Sequence, residues 1–119
     1  MKPLWLCSVL LLLGCVQTSL PTSFTKEAWQ DYGTQRAMNG SLKQSHESLS
    51  TLLAPEAVTE AQFAAYAAGY EIGLERYCEQ NAYILGVKGQ QYLGICDEMN
   101  IWFKDDYISG RKSTASFGL

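Results

Sequence analysis

Around the segment Thr59 to Tyr77 a small residue recurs every four positions: Ala57, Ala61, Ala65, Gly69 and Gly73. On an α-helix, residues four apart lie one above the other on a single face. The row therefore makes a flat ridge along which another element can approach closely. The local signals agree on a helix, because Thr59-x-x-Gln62 is a capping box that ties down its first turn. Phe63, Tyr66, Tyr70 and Tyr77 form an aromatic stripe beside the ridge, and Glu60, Glu71 and Glu75 fall on the remaining, wet side. Much of what this chain can fold into depends on what packs against that ridge.

The other elements are weaker. Thr25 reads as an N-cap, Lys26-Glu27-Ala28-Trp29 as a first turn, and Gly40 as a C-terminal stop. Trp29, Tyr32 and Arg36 or Ala37 share a face of this helix, and Gly33 weakens its middle. The stretch from Gly40 to Ala54 is rich in Ser and reads as linker or a short helix ended by Pro55. From Cys78 to Cys96, Gly86, Gly89 and Gly94 punctuate short pieces, of which Tyr83-Ile84-Leu85 and Tyr92-Leu93 could pair as a hairpin. A last helix follows over Asp97 to Ser109, with Ile101, Trp102, Tyr107 and Ile108 as its core face and Gly110 as its stop. The expectation is a mainly α, small single domain of about three helices with a disulfide-closed Gly/Tyr-rich loop or short hairpin. It spans residues 24–112, with 113–119 a loose tail.

The N-terminus needs a separate explanation. Lys2 precedes a run of ten mainly apolar residues, Leu4 to Leu13, and Gly14-Cys15 follows. The run is too short for a membrane-spanning helix, which needs about 20 residues. A charged start, a short apolar segment and a small terminal residue describe a secretory signal. Leu12-Leu13-Gly14-Cys15 resembles the lipobox of bacterial lipoproteins, in which the Cys is lipidated and becomes the first residue after cleavage. This divides the chain into a signal peptide (1–14), a lipidated Cys15 with a polar tether (15–23), and the folded part. Two or more acyl chains hold a protein stably at a membrane. In the lipoprotein sorting rule an Asp after the Cys retains the protein at the inner membrane. Val16 stands there instead, so the expected location is the outer membrane, facing the periplasm.

Of the four cysteines, Cys7 leaves with the signal and Cys15 is consumed as a thioether. Cys78 and Cys96 remain, in an oxidising compartment where a structural disulfide is the expected use. A metal pair and intermolecular bridging are the alternatives. The spacing is not that of a CxxC redox site, and the single His46 leaves a metal site short of ligands.

The residues also carry a resemblance. Tyr66-x-x-Gly69-Tyr70-x-x-Gly73-Leu74-x-x-Tyr77-Cys78 comes first. Asn81-x-Tyr83-x-x-Gly86-x-x-Gly89-x-x-Tyr92-x-Gly94-x-Cys96 follows, and then Phe103-x-x-x-Tyr107-x-x-Gly110-Arg111. Together they resemble a bacterial lipoprotein family known as domain of unknown function 2799. In the first helix Trp29, Gly33 and Gly40 fit the pattern, while Arg36 stands for an Asp, Ala37 for a Gly, and Ala82 for the Gly usual after Asn81. The resemblance implies an envelope location and a paired Cys78–Cys96, and it brings no activity with it.

Charge and motifs narrow the function classes. The chain has 9 basic and 12 acidic side chains, and without Lys2 the basic count is 8, a net of −4. Such a domain is a poor non-specific partner for nucleic acid. No zinc-protease motif, phosphate loop or dinucleotide fingerprint occurs, and no serine-hydrolase order of nucleophile and base. Neither a metal nor a cofactor is implied, and an enzyme is not expected. His46 reads as an exposed linker residue. Glu71 and Glu75 lie one turn apart, and a small envelope hydrolase acting on glycan through such carboxylates is the alternative reading. It would need a cleft in which one of them faces a second carboxylate. The preferred reading is a membrane-anchored binding module for an envelope protein or a glycan. Its expected surface contains Trp29, Tyr83 or Tyr92, because exposed aromatic rings anchor interfaces and stack on sugars.

Overall fold

The structure is a computed structural model, and it describes residues 19–116. The expected signal peptide, Cys15, the start of the expected tether (16–18) and residues 117–119 lie outside the described residues. The described chain holds five helices: α1 (Lys26–Met38), α2 (His46–Leu53), α3 (Glu60–Cys78), α4 (Ala82–Val87) and α5 (Phe103–Ser116). No strand occurs among the described residues. The mainly α expectation holds, with five helices in place of about three and a helix in place of the hairpin.

The first core forms where α1 meets the ridge of α3. Thr25 caps α1 through the Ala28 N–H, and the Thr59–Gln62 capping box starts α3 in both directions. Gln30 lies against Gly69, Thr34 against Gly73 and Gly40 against Tyr77, so the two helices run parallel. Contact is made by backbone. A Cβ on Gly69 would lie 2.7 Å from the Gln30 carbonyl carbon, and one on Gly33 2.8 Å from the Tyr70 nitrogen. Gly33 is thus a packing residue, and its cost in helix propensity is offset by the approach it permits. The small-residue row works only in its second half: Gly69 and Gly73 are buried, whereas Ala61 is exposed and Ala57 precedes the helix.

Parallel helices need a return path, which residues 39–59 supply. Tyrosines of the core hold it. The Tyr70 hydroxyl donates to the Ser41 carbonyl (2.8 Å), and the Gln44 N–H donates to the Tyr66 hydroxyl (2.9 Å). The Tyr32 hydroxyl donates to the Gln44 side chain at 2.6 Å. His46 opens α2 and is no mobile linker residue. Its ring stacks on Phe63 at 4.9 Å and meets the Val58 carbonyl through Nε2. Trp29, Tyr32, Ala37, Leu49, Val58, Tyr66 and Tyr70 make the buried set.

A second core gathers Tyr77, Cys78, Ala82, Leu85, Cys96 and Phe103, and half-buried Leu74 touches both. Asn81 caps α4 by accepting from the Ile84 N–H. The pairing of α4 with α5 repeats the glycine device: a Cβ on Gly86 would lie 2.9 Å from the Arg111 nitrogen, and one on Gly110 2.9 Å from the Tyr83 carbonyl carbon. Gly110 is therefore no helix stop. It is buried inside α5, which runs on through Ser113 to Ser116, so the start of the expected tail is helical. The Cys78–Cys96 disulfide, with Cα atoms 5.6 Å apart, joins the end of α3 to the segment before α5.

Burial has a titration consequence. Burial holds the Tyr66, Tyr70 and Tyr77 hydroxyls above the ordinary tyrosine range, and Tyr92 is raised by burial and by its bond to Asp97. A folded-state pKa above the unfolded one means that the folded protein keeps the proton longer. Stability from these groups is complete below the unfolded value of about 10 and is lost as pH rises above it. Helicity followed by circular dichroism should stay flat up to about pH 10. Above that the chain should unfold as tyrosinate absorbance rises in the same transition. Ionisation of Tyr66, Tyr70 or Tyr77 at the ordinary tyrosine pKa in an intact helical protein would contradict this account.

Candidate functional site

The second core presents an unusual surface between the disulfide and α5. Gly94 takes a φ of +82°, a left-handed turn that favours glycine. The Asp97 N–H returns to its carbonyl at 3.2 Å. The Tyr92 hydroxyl donates to the Asp97 carboxylate (2.6 Å) and accepts from the Cys96 N–H (3.0 Å). The Asn100 N–H donates to the Cys96 carbonyl at 2.8 Å, and the Asn100 side chain accepts from the Trp102 N–H at 3.0 Å. Phe103 then plugs the core, its ring 4.9 Å from Tyr92 and 6.3 Å from Tyr77.

Backbone N–H groups of Cys96, Asp97, Asn100, Trp102 and Phe103 are thus bonded, yet the large apolar side chains of this turn face out. Ile101 is 71% exposed, Trp102 65% and Met99 48%. Single exposed apolar residues are ordinary, whereas three within four positions make a concentrated apolar patch. Their exposure is not the slackness of a loose loop, because the ring packing and hydrogen bonds on either side fix it. Exposed Asp97, Glu98, Asp105 and Asp106 flank the apolar residues, with Lys104 the one cation in that stretch.

The expected surface residues separate. Trp29 is fully buried in the first core and cannot face a partner. Its place on α1 beside Tyr32, with ring centroids 6.1 Å apart, makes it a packing residue. Tyr92 is half-buried, and its hydroxyl holds the Asp97 turn. Tyr83 is exposed on α4, beside exposed Ile84 and Val87. Ile101 and Trp102, expected in the core of the last helix, are its most exposed neighbours instead. The helix begins only at Phe103, and its buried face runs through Phe103 and Gly110, with Tyr107 half-buried between them. That phase was available in the sequence, since Phe103, Tyr107 and Gly110 recur at i, i+4 and i+7.

Glu71, Glu75, Asp105 and Asp106 are all exposed. Neither Glu71 nor Glu75 lines the cleft beside Met38 and Gln80 or the one beside Asn81 and Lys88. No group of three His, Cys, Asp or Glu side chains there could hold a metal ion, and no described helix is long and apolar enough to cross a membrane.

If the apolar residues of this surface carry no core, they can be removed cheaply. Trp102→Ala should change unfolding free energy by less than about 0.5 kcal/mol in a denaturant titration, the ordinary size for a surface substitution. A loss of several kcal/mol would place Trp102 in a core.

Compared with known proteins, residues 28–112 match the model of a family described as protein of unknown function (DUF2799). No curated protein and no solved structure matches.

Proposed function

Because the chain belongs to the DUF2799 family, matched from the first turn of α1 well into α5, we propose that it is a lipid-anchored binding module of the bacterial cell envelope. Cys15 carries the lipid, the tether spaces the folded part from the outer membrane, and the module faces the periplasm. The apolar residues Met99, Ile101 and Trp102 on their fixed backbone carry the binding role. The acidic flank selects the kind of partner, since complementary charge guides encounter and excludes wrong partners. The module engages a protein with an apolar pocket rimmed by Lys or Arg. Trp is the residue type most enriched where binding energy concentrates. The exposed carboxylates do not favour the hydrolase reading.

Two measurements on the full chain in bacterial cells test this reading. The intact mass of membrane-extracted protein should show an acylated Cys15, with Cys78 and Cys96 alkylated only after reduction. Cys15→Ser should move the protein out of the membrane fraction. A photo-crosslinking residue at position 102 should give one discrete protein adduct that the same residue at exposed position 71 does not. An unlipidated soluble protein sinks the anchor. Adducts of the same pattern from both positions sink the binding surface.

A further inference from the structure

A concavity lined by none of Met99, Ile101 and Trp102 lies where the C-terminal ends of α1 and α3 meet the segment 90–93. It is an open cleft of about 420 Å³, within the size range of small-ligand sites. Its polar lining is neutral: Asn39, Gln80, Gln90 and Gln91 bring carboxamides, Ser41 a hydroxyl, and no charged side chain lines it among the described residues. Met38 and Leu93 add exposed apolar edges, and Tyr77 contributes part of the wall.

The wall segments are fixed from the protein interior. The Tyr70 hydroxyl holds the Ser41 carbonyl at 2.8 Å, and the Tyr107 hydroxyl holds the Gln90 carbonyl at 2.6 Å. Gln80 donates from Nε2 to the Tyr77 carbonyl at 3.0 Å, which orients its amide plane. Gly40, at φ +75°, packs its backbone on the Tyr77 ring, where a Cβ would lie 3.0 Å from the ring atoms. The disulfide closes the segment that carries Gln80, Gln90, Gln91 and Leu93. The cleft is thus built by both cores.

We propose that this cleft binds a neutral saccharide. A carboxamide offers one acceptor and two donors in a plane, and a sugar hydroxyl both donates and accepts, so each can satisfy the other. A charged ligand would lose its hydration with no opposite charge to meet it. A wholly apolar ligand would strip water from the carboxamides and leave them unpaired. A sugar ring presents polar edges to the glutamines and its C–H surface to Met38 and Leu93. A peptide is the weaker fit: the usual modes add a strand to a sheet edge or lay a helix in an apolar groove, and the described residues contain no strand.

The site needs neither the lipid anchor nor the Trp102 surface, so its test stands apart from theirs. The full chain, in a detergent without a sugar headgroup, is titrated with N,N′-diacetylchitobiose and with maltose and read by saturation-transfer NMR and calorimetry. Saturable binding of at least one sugar is expected. The paired substitution Gln90→Ala and Gln91→Ala should weaken it about tenfold or more with an unchanged circular dichroism spectrum. Tyr83→Ser and Trp102→Ala should bind as the unaltered chain does. The proposal is overturned if neither sugar binds at about 10 mM, or if the paired variant binds equally well. It is also overturned if a neutral blocked dipeptide saturates the cleft and the sugars do not.

Discussion

Gly69→Ala should destabilise the protein by about 2 kcal/mol, and Gly69→Val by about 3 kcal/mol or more. The sign makes the first substitution informative. In a helix that packs loosely, replacing Gly by Ala stabilises by about 1 kcal/mol, because Ala is the better helix former. Here the new methyl would lie 2.7 Å from the carbonyl carbon of Gln30 and 2.9 Å from its Cα. These are backbone atoms that no rotamer change can remove, so α1 must back away from α3. Loss of that approach also weakens the bond from the Thr34 hydroxyl to the Gly69 carbonyl, 3.0 Å long in the intact pair. Chemical denaturation gives the answer directly. In thermal melts each kcal/mol should appear as a drop of roughly 4–8 °C for a domain of this size. A Gly69→Ala protein as stable as the parent would refute a backbone-on-backbone interface.

Removing both Cys78 and Cys96 as alanines should lower stability by roughly 3 kcal/mol, the chain-entropy value for a loop of this length. The bridge spans 18 positions, and native domains are stable by only about 5–15 kcal/mol. The effect should be uneven. The first core has no cysteine in it, while Cys96 is fully buried and Cys78 nearly so in the second. Hydrogen exchange should show amides of α4 and residues 96–103 losing protection before those of α1 and α3. A double variant of parental stability, or one whose two cores open together, would count against this division.

The long helix, its capping box, the Thr25 cap, the Gly40 stop and the Cys78–Cys96 pair could be read from the residues, because each rests on neighbours within a few positions or on chemistry that leaves few options. The errors share one cause. Tyr83-Ile84-Leu85 has strand-forming side chains, yet it is helical because Gly86 lets α5 come close, a tertiary fact absent from local preference. Asn81, a good N-cap, was the local hint. Gly33 and Gly110 read as weakness and stop because propensity treats glycine as a defect, whereas here it makes room for another backbone. Ile101 and Trp102 were counted inward because apolar residues near a helix usually are. The turn from Asp97 to Trp102 shifts the helical phase so that Phe103 takes the buried place. Of the three aromatic residues expected at a surface, Tyr83 is exposed, Tyr92 is half-buried and Trp29 is buried. The cleft could not have been anticipated, since its walls come from segments as far apart in the chain as Met38 and Leu93.

The parallel pairing of α1 and α3 also sets an order of assembly. Its partners lie 37 to 39 positions apart, Gln30 with Gly69, Thr34 with Gly73 and Gly40 with Tyr77. As the chain is synthesised or threaded through a pore, α1 arrives first and waits with its apolar side unmatched until α3 has followed. The second core closes shorter loops, with Cys78 near Cys96 and Gly86 near Gly110. Short loops cost less entropy to close, and local contacts speed folding. The late-arriving half should therefore organise first and be captured by oxidation of its thiols, and α1 should dock last.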